Sequence, residues 1–273
     1  MTDGPPQPFD TRLGRLRRTR QGADKASAWW LHRRAAGELL ARLELVARPF
    51  AKALDLSADG WLGDRLAERG LAVERIGEDA LPSLAPASVD LAVSVGLLDT
   101  INDLPGALAL LRRALKPDGL FLAAFAGADS LPRLREAMRA AETAEQRDPS
   151  PRIHPQIDVR AAGDLLTRAG FALPVADREV VEVRYSALPR LLSDLRLTGS
   201  TNILARRSRA PFTRLGLAAA TAAFGEGTVE RFELVFLSGW APDPSQPAPA
   251  RRGSGTASLA EALKPRESGS GPR

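Results

Sequence analysis

The stretch "ALDLSADGWLGDRL", Ala53 to Leu66, contains the residues of this chain best spaced to grip a ligand. An apolar run ends in Asp55 and passes at once into a polar loop, the pattern by which a carboxylate and a set of backbone amides hold a nucleotide-like cofactor. Glycines suit such a loop because they accept positive φ and let the backbone come close to the ligand. Here Ser57, Asp59 and Trp61 stand where a three-glycine loop has its glycines, and only a one-residue gap recovers Gly60. Asp55, Ser57, Asp59 and Gly60 are therefore the cofactor-binding candidates of this stretch, in a loop whose side chains obstruct and whose Asp59 adds negative charge.

Other chemistries are poorly provided for. The chain has no cysteine and two histidines, His32 and His154, so disulfides, thiolate metal sites and histidine-rich metal sites are not expected. No metal ligand set is assigned, and no catalytic residue stands out. His154, in "SPRIHP", reads as a loop or surface residue.

The elements that must position the loop follow from apolar spacing. Residues 27 to 48 carry Trp30, Ala35, Leu39, Leu43 and Val46 at helical intervals, which predicts an amphipathic helix ahead of the first strand. Short apolar runs at 52–57, 71–76, 89–95 and 120–126 then alternate with helical segments, the signature of buried parallel strands joined by crossover helices. Between the last two runs, Asn102 or Asp103 can cap a helix with Pro105 in its first turn and Leu104, Leu108, Leu111 and Leu115 in one stripe. "KPDG" at 116–119 reads as a turn, Ser130 as the cap of a helix to about Ala144. Further on come a helix from Val159 to Gly170, a strand at 178–185, helices near 187–197 and 211–224, and an antiparallel edge strand at 229–240. The expected fold is α/β, a doubly wound sheet with a C-terminal α+β extension. Four parts are expected: a basic arm and helix at 1–50, a core at 51–145, a closing part at 146–240 and a disordered tail at 241–273, rich in Pro, Ser, Gly and Ala.

The net charge of +5 is concentrated early, since residues 1–52 hold 11 Lys/Arg against 5 Asp/Glu. Arg12, Arg15, Arg17, Arg18 and Arg20 form a cluster that suits an acidic protein or an anionic membrane face. Nucleic acid is not the expected partner: the arm lacks interleaved aromatics, and Arg is abundant along the whole chain. No apolar run approaches the roughly 18 residues of a membrane span, and the N-terminus lacks the apolar core of a secretory signal, so a cytoplasmic location is expected.

"INDLPGALALLRRALKPDGLFLAAFAGADSLPRLREAM" at 101–138, "FDTRLGRLRRTR" at 9–20, "SPRIHPQIDVRAAGDLLTRAGFALPVAD" at 150–177 and "LLSDLRLTGSTN" at 191–202 carry a resemblance. They resemble class I S-adenosylmethionine-dependent methyltransferase-like proteins of the family that includes the arginine-hydroxylating assembly factor of mitochondrial complex I. More distantly they are similar to the malonyl carrier-protein methyltransferases of biotin synthesis. The resemblance implies a Rossmann-like methyltransferase sheet and S-adenosyl-L-methionine as cofactor. It also places "GEDALP", 77–82, at the adenine-contacting turn, with Glu78 and Asp79 as substitutes for an acid at Gly77, and Asp99 where the family has a histidine.

Three departures from the family pattern accompany it. The glycine loop is altered. Only about 30 residues separate Ser57 from Val89, too few for the extra strand-helix unit whose strand carries the ribose-binding acid, with Glu74 as a stand-in. The His-Trp pair is replaced by Asp99 and Thr100. The resemblance therefore implies either a methyltransferase with an unusual pocket, acting on a small-molecule or protein acceptor, or a non-catalytic binding or assembly protein, for instance at respiratory complex I.

Overall fold

A computed structural model of the chain describes residues 6–19 and 27–247, so the expectations for Arg20 and for most of the tail lie outside the described residues. In chain order the elements are α1 (Thr11–Thr19), α2 (Trp30–Glu44), β1 (Lys52–Asp55), α3 (Trp61–Glu68), β2 (Ala72–Arg75), β3 (Val89–Val95), α4 (Leu104–Ala114) and β4 (Leu115–Ala126). They continue with α5 (Pro132–Ala144), α6 (Val159–Arg168), β5 (Ala172–Tyr185), α7 (Leu188–Leu197), α8 (Arg214–Phe224) and β6 (Thr228–Trp240).

Among the described residues the strands form one sheet in the order β2-β1-β3-β4-β6-β5. Neighbours from β2 to β4 run parallel, while β6 is antiparallel to both β4 and β5. α4 and α6 bury Leu108, Leu111, Ala162 and Leu166 on one face, and α2 and α3 bury Ala35, Leu39, Leu62 and Leu66 on the other. The sheet is thus doubly wound, as its apolar strands require. Between α3 and β3 there is one strand, β2, followed by a 3-10 turn at Glu78–Ser83, so no further strand-helix unit is present there.

Three local expectations are corrected and a fourth, the α4 cap, is met by one of its two candidates. The 229–240 strand is interior, not an edge: β6 is hydrogen-bonded on both sides and the edge is β5. "KPDG" is no separate turn but an irregularity inside β4, where the register slips and Asp118 takes φ +58°. Ser130 does not cap α5; its hydroxyl exchanges hydrogen bonds with the Glu233 backbone, Leu131 at φ +61° begins the helix, and the Glu230 carboxylate accepts from Arg133 N and Leu134 N. A buried carboxylate satisfies the open amides of that helix end as a short cap would. Of the two candidate caps for α4, Asp103 accepts from Gly106 N at 2.9 Å, while Asn102 is paired in both directions with the backbone of Phe9.

Candidate functional site

The altered loop leaves the polar groups at the end of β1 engaged, apart from the buried Asp55 Oδ1. Leu56 N donates to Val93 O and Ala58 N to Val95 O at 2.8 Å, so the backbone after Asp55 continues the ladder onto β3. Ser57 Oγ accepts from Val95 N at 3.0 Å. Asp55 is 2% exposed, with Oδ2 accepting from Gly63 N at 3.1 Å and lying 3.9 Å from Arg75 Nε. Burial pushes its carboxyl up, against the opposing pull of the Ser57 hydroxyl, Arg75 and the Gly63 amide.

Arg75, the last residue of β2, covers the rest of this corner. Its Nη2 donates to Gly60 O at 2.8 Å and it pairs with Asp64, while a Cβ on Gly60 would come within 2.9 Å of the Arg75 guanidinium carbon. Asp59 is pushed up by burial and eased chiefly by Arg33 and the Trp61 amide, so its carboxylate belongs to the start of α3. Trp61 packs with the α2–α3 apolar layer, and Arg65 lies over its ring at 5.6 Å. Asp55, Ser57, Asp59 and Gly60 are therefore brought together, in a corner that Arg75 covers and whose groups are paired except for the buried Asp55 Oδ1.

The second group of candidates lies under α1. Arg15 pairs with Asp79 at 3.0 Å. Burial pushes Glu78 up, and Arg18 and then Arg15 draw it back. Asp99 is pushed up to about 6 by burial, relieved by its own amide and by Arg18, and its Oδ1 is buried without a partner. Arg15 and Arg18 thus also face acids of their own chain, Arg15 in an exposed pair with Asp79. Glu74 is no ribose acid either, since it is exposed and lies 3.4 Å from Lys52.

The open space is elsewhere. A cavity of about 890 Å³ sits over the C-terminal ends of β3 and β4, floored by Val95, Gly96 and Ala124 to Ala126 and walled by α1, α2, α5, α7 and the 198–212 segment. Of the seven cofactor-binding candidates read from the sequence, Asp99 alone lines it. Gly96 takes φ +65°, and a Cβ there would lie 2.5 Å from the His32 ring. His32 stands edge-on to Trp29 at 4.6 Å, and burial pulls its imidazole down to about 4, so it is neutral at pH 7 with Nδ1 unpartnered. His154 lies in a loop, as expected, and that loop lines the cavity wall: its Nε2 accepts from Ile203 N at 2.9 Å, Phe9 packs against its ring, and burial and Arg17 pull it down to about 4. Sequence reasoning did not bring His32, Arg17 and Arg207 together, because no spacing motif links residues from α1, α2 and the 198–212 segment.

S-adenosylmethionine, the cofactor the resemblance implies, needs an acid at the second strand end and an approachable loop after the first. With one strand only between α3 and β3, β2 is the strand beside β1; its end is a cation, Arg75, and the loop lies beneath that guanidinium with two of its amides in the sheet. The acids of the adenine turn face Arg15 and Arg18. The residues present do not fit that cofactor in the family pose.

Residues 39–123 match a family model described as a methyltransferase domain. The mitochondrial arginine hydroxylase NDUFAF5 of Homo sapiens is 37% identical over 179 residues, which is 63% of this chain and 52% of that protein. The malonyl-[acyl-carrier protein] O-methyltransferase of Gallionella capsiferriformans is 30% identical over 226 residues, 70% of this chain and 75% of that protein. The chain spans about half the length of the curated arginine hydroxylases it matches. A solved chain from Bacillus halodurans C-125, a candidate methyltransferase, shares the fold with a TM-score of 0.50 at 11% identity, covering 76% of this chain and all of that one.

Proposed function

Because this chain belongs to the class I S-adenosylmethionine-dependent methyltransferase-like family, we propose that it is a member whose cofactor corner has become structural and whose strand-end cavity binds a ligand without methyl transfer. The observation that carries this reading is Arg75, which places a guanidinium on Gly60 and beside Asp55 where a cofactor ribose would need an acceptor. A cation there offers ribose hydroxyls no acceptor. Displacing it would also strip the buried Asp55 of its counter-charge, a cost that ligand binding would have to exceed.

Action as a binding or assembly protein, with respiratory complex I as the candidate assembly, completes the proposal and rests on family likeness. A second reading is favoured by one observation: Trp61 packs away from the cavity, which leaves the strand ends open to a donor held in another pose. Titration calorimetry of the full chain with S-adenosylmethionine separates the two. No saturable heat up to millimolar ligand is the expected result, and a micromolar isotherm would replace the first reading by the second.

A further inference from the structure

The cavity has an apolar side and a cationic side. Leu31, Leu134, Met138, Leu192, Phe232 and Leu234 line it with side chains that offer a ligand no hydrogen bond. Arg17, Arg196, Arg207 and Arg209 line it as well, from α1, the last turn of α7 and the segment that follows.

These arginines are short of counter-charge. Arg17 donates to Asn202 O at 2.7 Å, a neutral acceptor, and Arg207 donates to Leu204 O at 2.9 Å with Asp10 at 3.5 Å. Burial and then the Arg207 charge draw Arg17 down, with Asp10 in opposition. Arg196 and Arg209 are exposed and make no ion pair among the described residues. None of the acids nearby pairs with these four: Asp194 lies 3.7 Å from Arg190 and carries a hydrogen bond with Tyr185, Glu142 holds Arg152 at 2.7 Å, and Asp99, with Oδ1 unpartnered, faces Arg18.

We infer that this cavity binds a linear amphiphilic carboxylate, its alkyl chain against the α2, α5 and β6 side chains and its head group on the arginines of α1 and the 196–209 segment. An apolar pocket of this size with a few convergent polar groups suits a ligand of that kind. A carboxylate supplies the bidentate acceptor that unpaired guanidiniums lack. The inference rests on the cavity being the binding half of the molecule, but not on whether S-adenosylmethionine binds, which the separate titration decides.

The test is calorimetric titration of the full chain with decanoate, decanol and decylammonium. Decanoate is expected to saturate in the micromolar range, with decanol weaker and decylammonium silent. The R196Q/R209Q double variant alters two exposed side chains without partners and is expected to weaken decanoate by ~10-fold through lost charge-assisted hydrogen bonds. Met138→Trp, which fills the apolar side, is expected to abolish binding. Absence of decanoate saturation below millimolar concentration would overturn the inference, as would equal binding of decylammonium or an unchanged affinity in the double variant. Should Met138→Trp misfold, the double variant and the three ligands still decide.

Discussion

Two corners of the same sheet edge have taken opposite forms. Over β1 and β2, Ser57 sits between Asp55 and Val95, Arg75 covers Gly60, and the loop amides at 56 and 58 extend the ladder. Over β3 and β4, the His32 ring packs on Gly96 at the edge of an open cavity, Asp99 and His32 each keep a buried unpartnered atom, and the wall carries guanidiniums with little to pair with. A corner covered by its own side chains leaves little for a ligand, whereas an open wall of guanidiniums selects an anion. The strand ends of a doubly wound sheet are thus separable sites, and one can become scaffold while its neighbour stays open.

The sharpest way to break this contrast is to add one carbon to each corner. Gly96→Ala forces a side chain into positive φ and against the His32 ring, and strain plus overpacking predict a loss of about 3 kcal/mol in urea unfolding. Gly60→Ala meets only the end of the flexible Arg75 side chain at a negative φ, so about 0.5 kcal/mol is expected. Equal losses in the two variants would erase the distinction between a tight open floor and a covered one.

A smaller effect separates the arginines. Arg75→Ala removes the cation facing a buried carboxylate and should cost about 1–2 kcal/mol, discounted because Arg75 is itself half exposed. R196Q/R209Q, which breaks no ion pair among the described residues, should stay within about 0.5 kcal/mol of the parent. Melting temperatures measured side by side check both. A larger loss in the cavity variant would mean that its arginines are structural too.

Much of the fold could be read from the chain, and the physical reason is locality. The runs at 89–95 and 120–126 are apolar because both faces of those strands are covered, and the α4 cap acts three residues away on Gly106. The shortened stretch before β3 likewise announced the missing unit by its length alone. What was illegible depends on pairing across the sequence. Glu230 and Glu233 look like the solvent-facing acids of an edge strand, yet both are buried, one at the start of α5 and the other bonded to Asp129 N and Arg178. Arg75 in "AVERI" has the pattern of an exposed strand residue, and its grip on Gly60 and Asp55 exists only once β2 lies beside β1. The loop could be seen to be altered, but not to be filled. The cavity could not be seen at all, because its lining comes from many separate segments.

The smallest effect carries the contrast to single protons. Asp99 has a folded value of about 6 against an ordinary 3.8, raised first by burial and only partly relieved by its own amide and Arg18. A carboxyl raised on folding binds its proton more tightly in the folded state. Its contribution is therefore most favourable below about 3.8 and is lost as pH rises towards 6. At pH 7 the ionised Asp99 is a net cost. Asp99→Asn keeps the shape, removes that charge and leaves Arg18 facing Glu78, so it should stabilise the protein by about 1 kcal/mol at pH 7.5 and by nothing near pH 3.5. His32 and His154 act in the other direction in both proteins: their depressed values, about 4, make stability fall as pH drops from 6.5 towards 4. The difference between the two unfolding curves cancels that common slope and isolates Asp99. A difference that does not shrink on acidification would show that Asp99 is not the buried, unsatisfied carboxyl that marks the open corner, and the two corners would then differ less than their geometry implies.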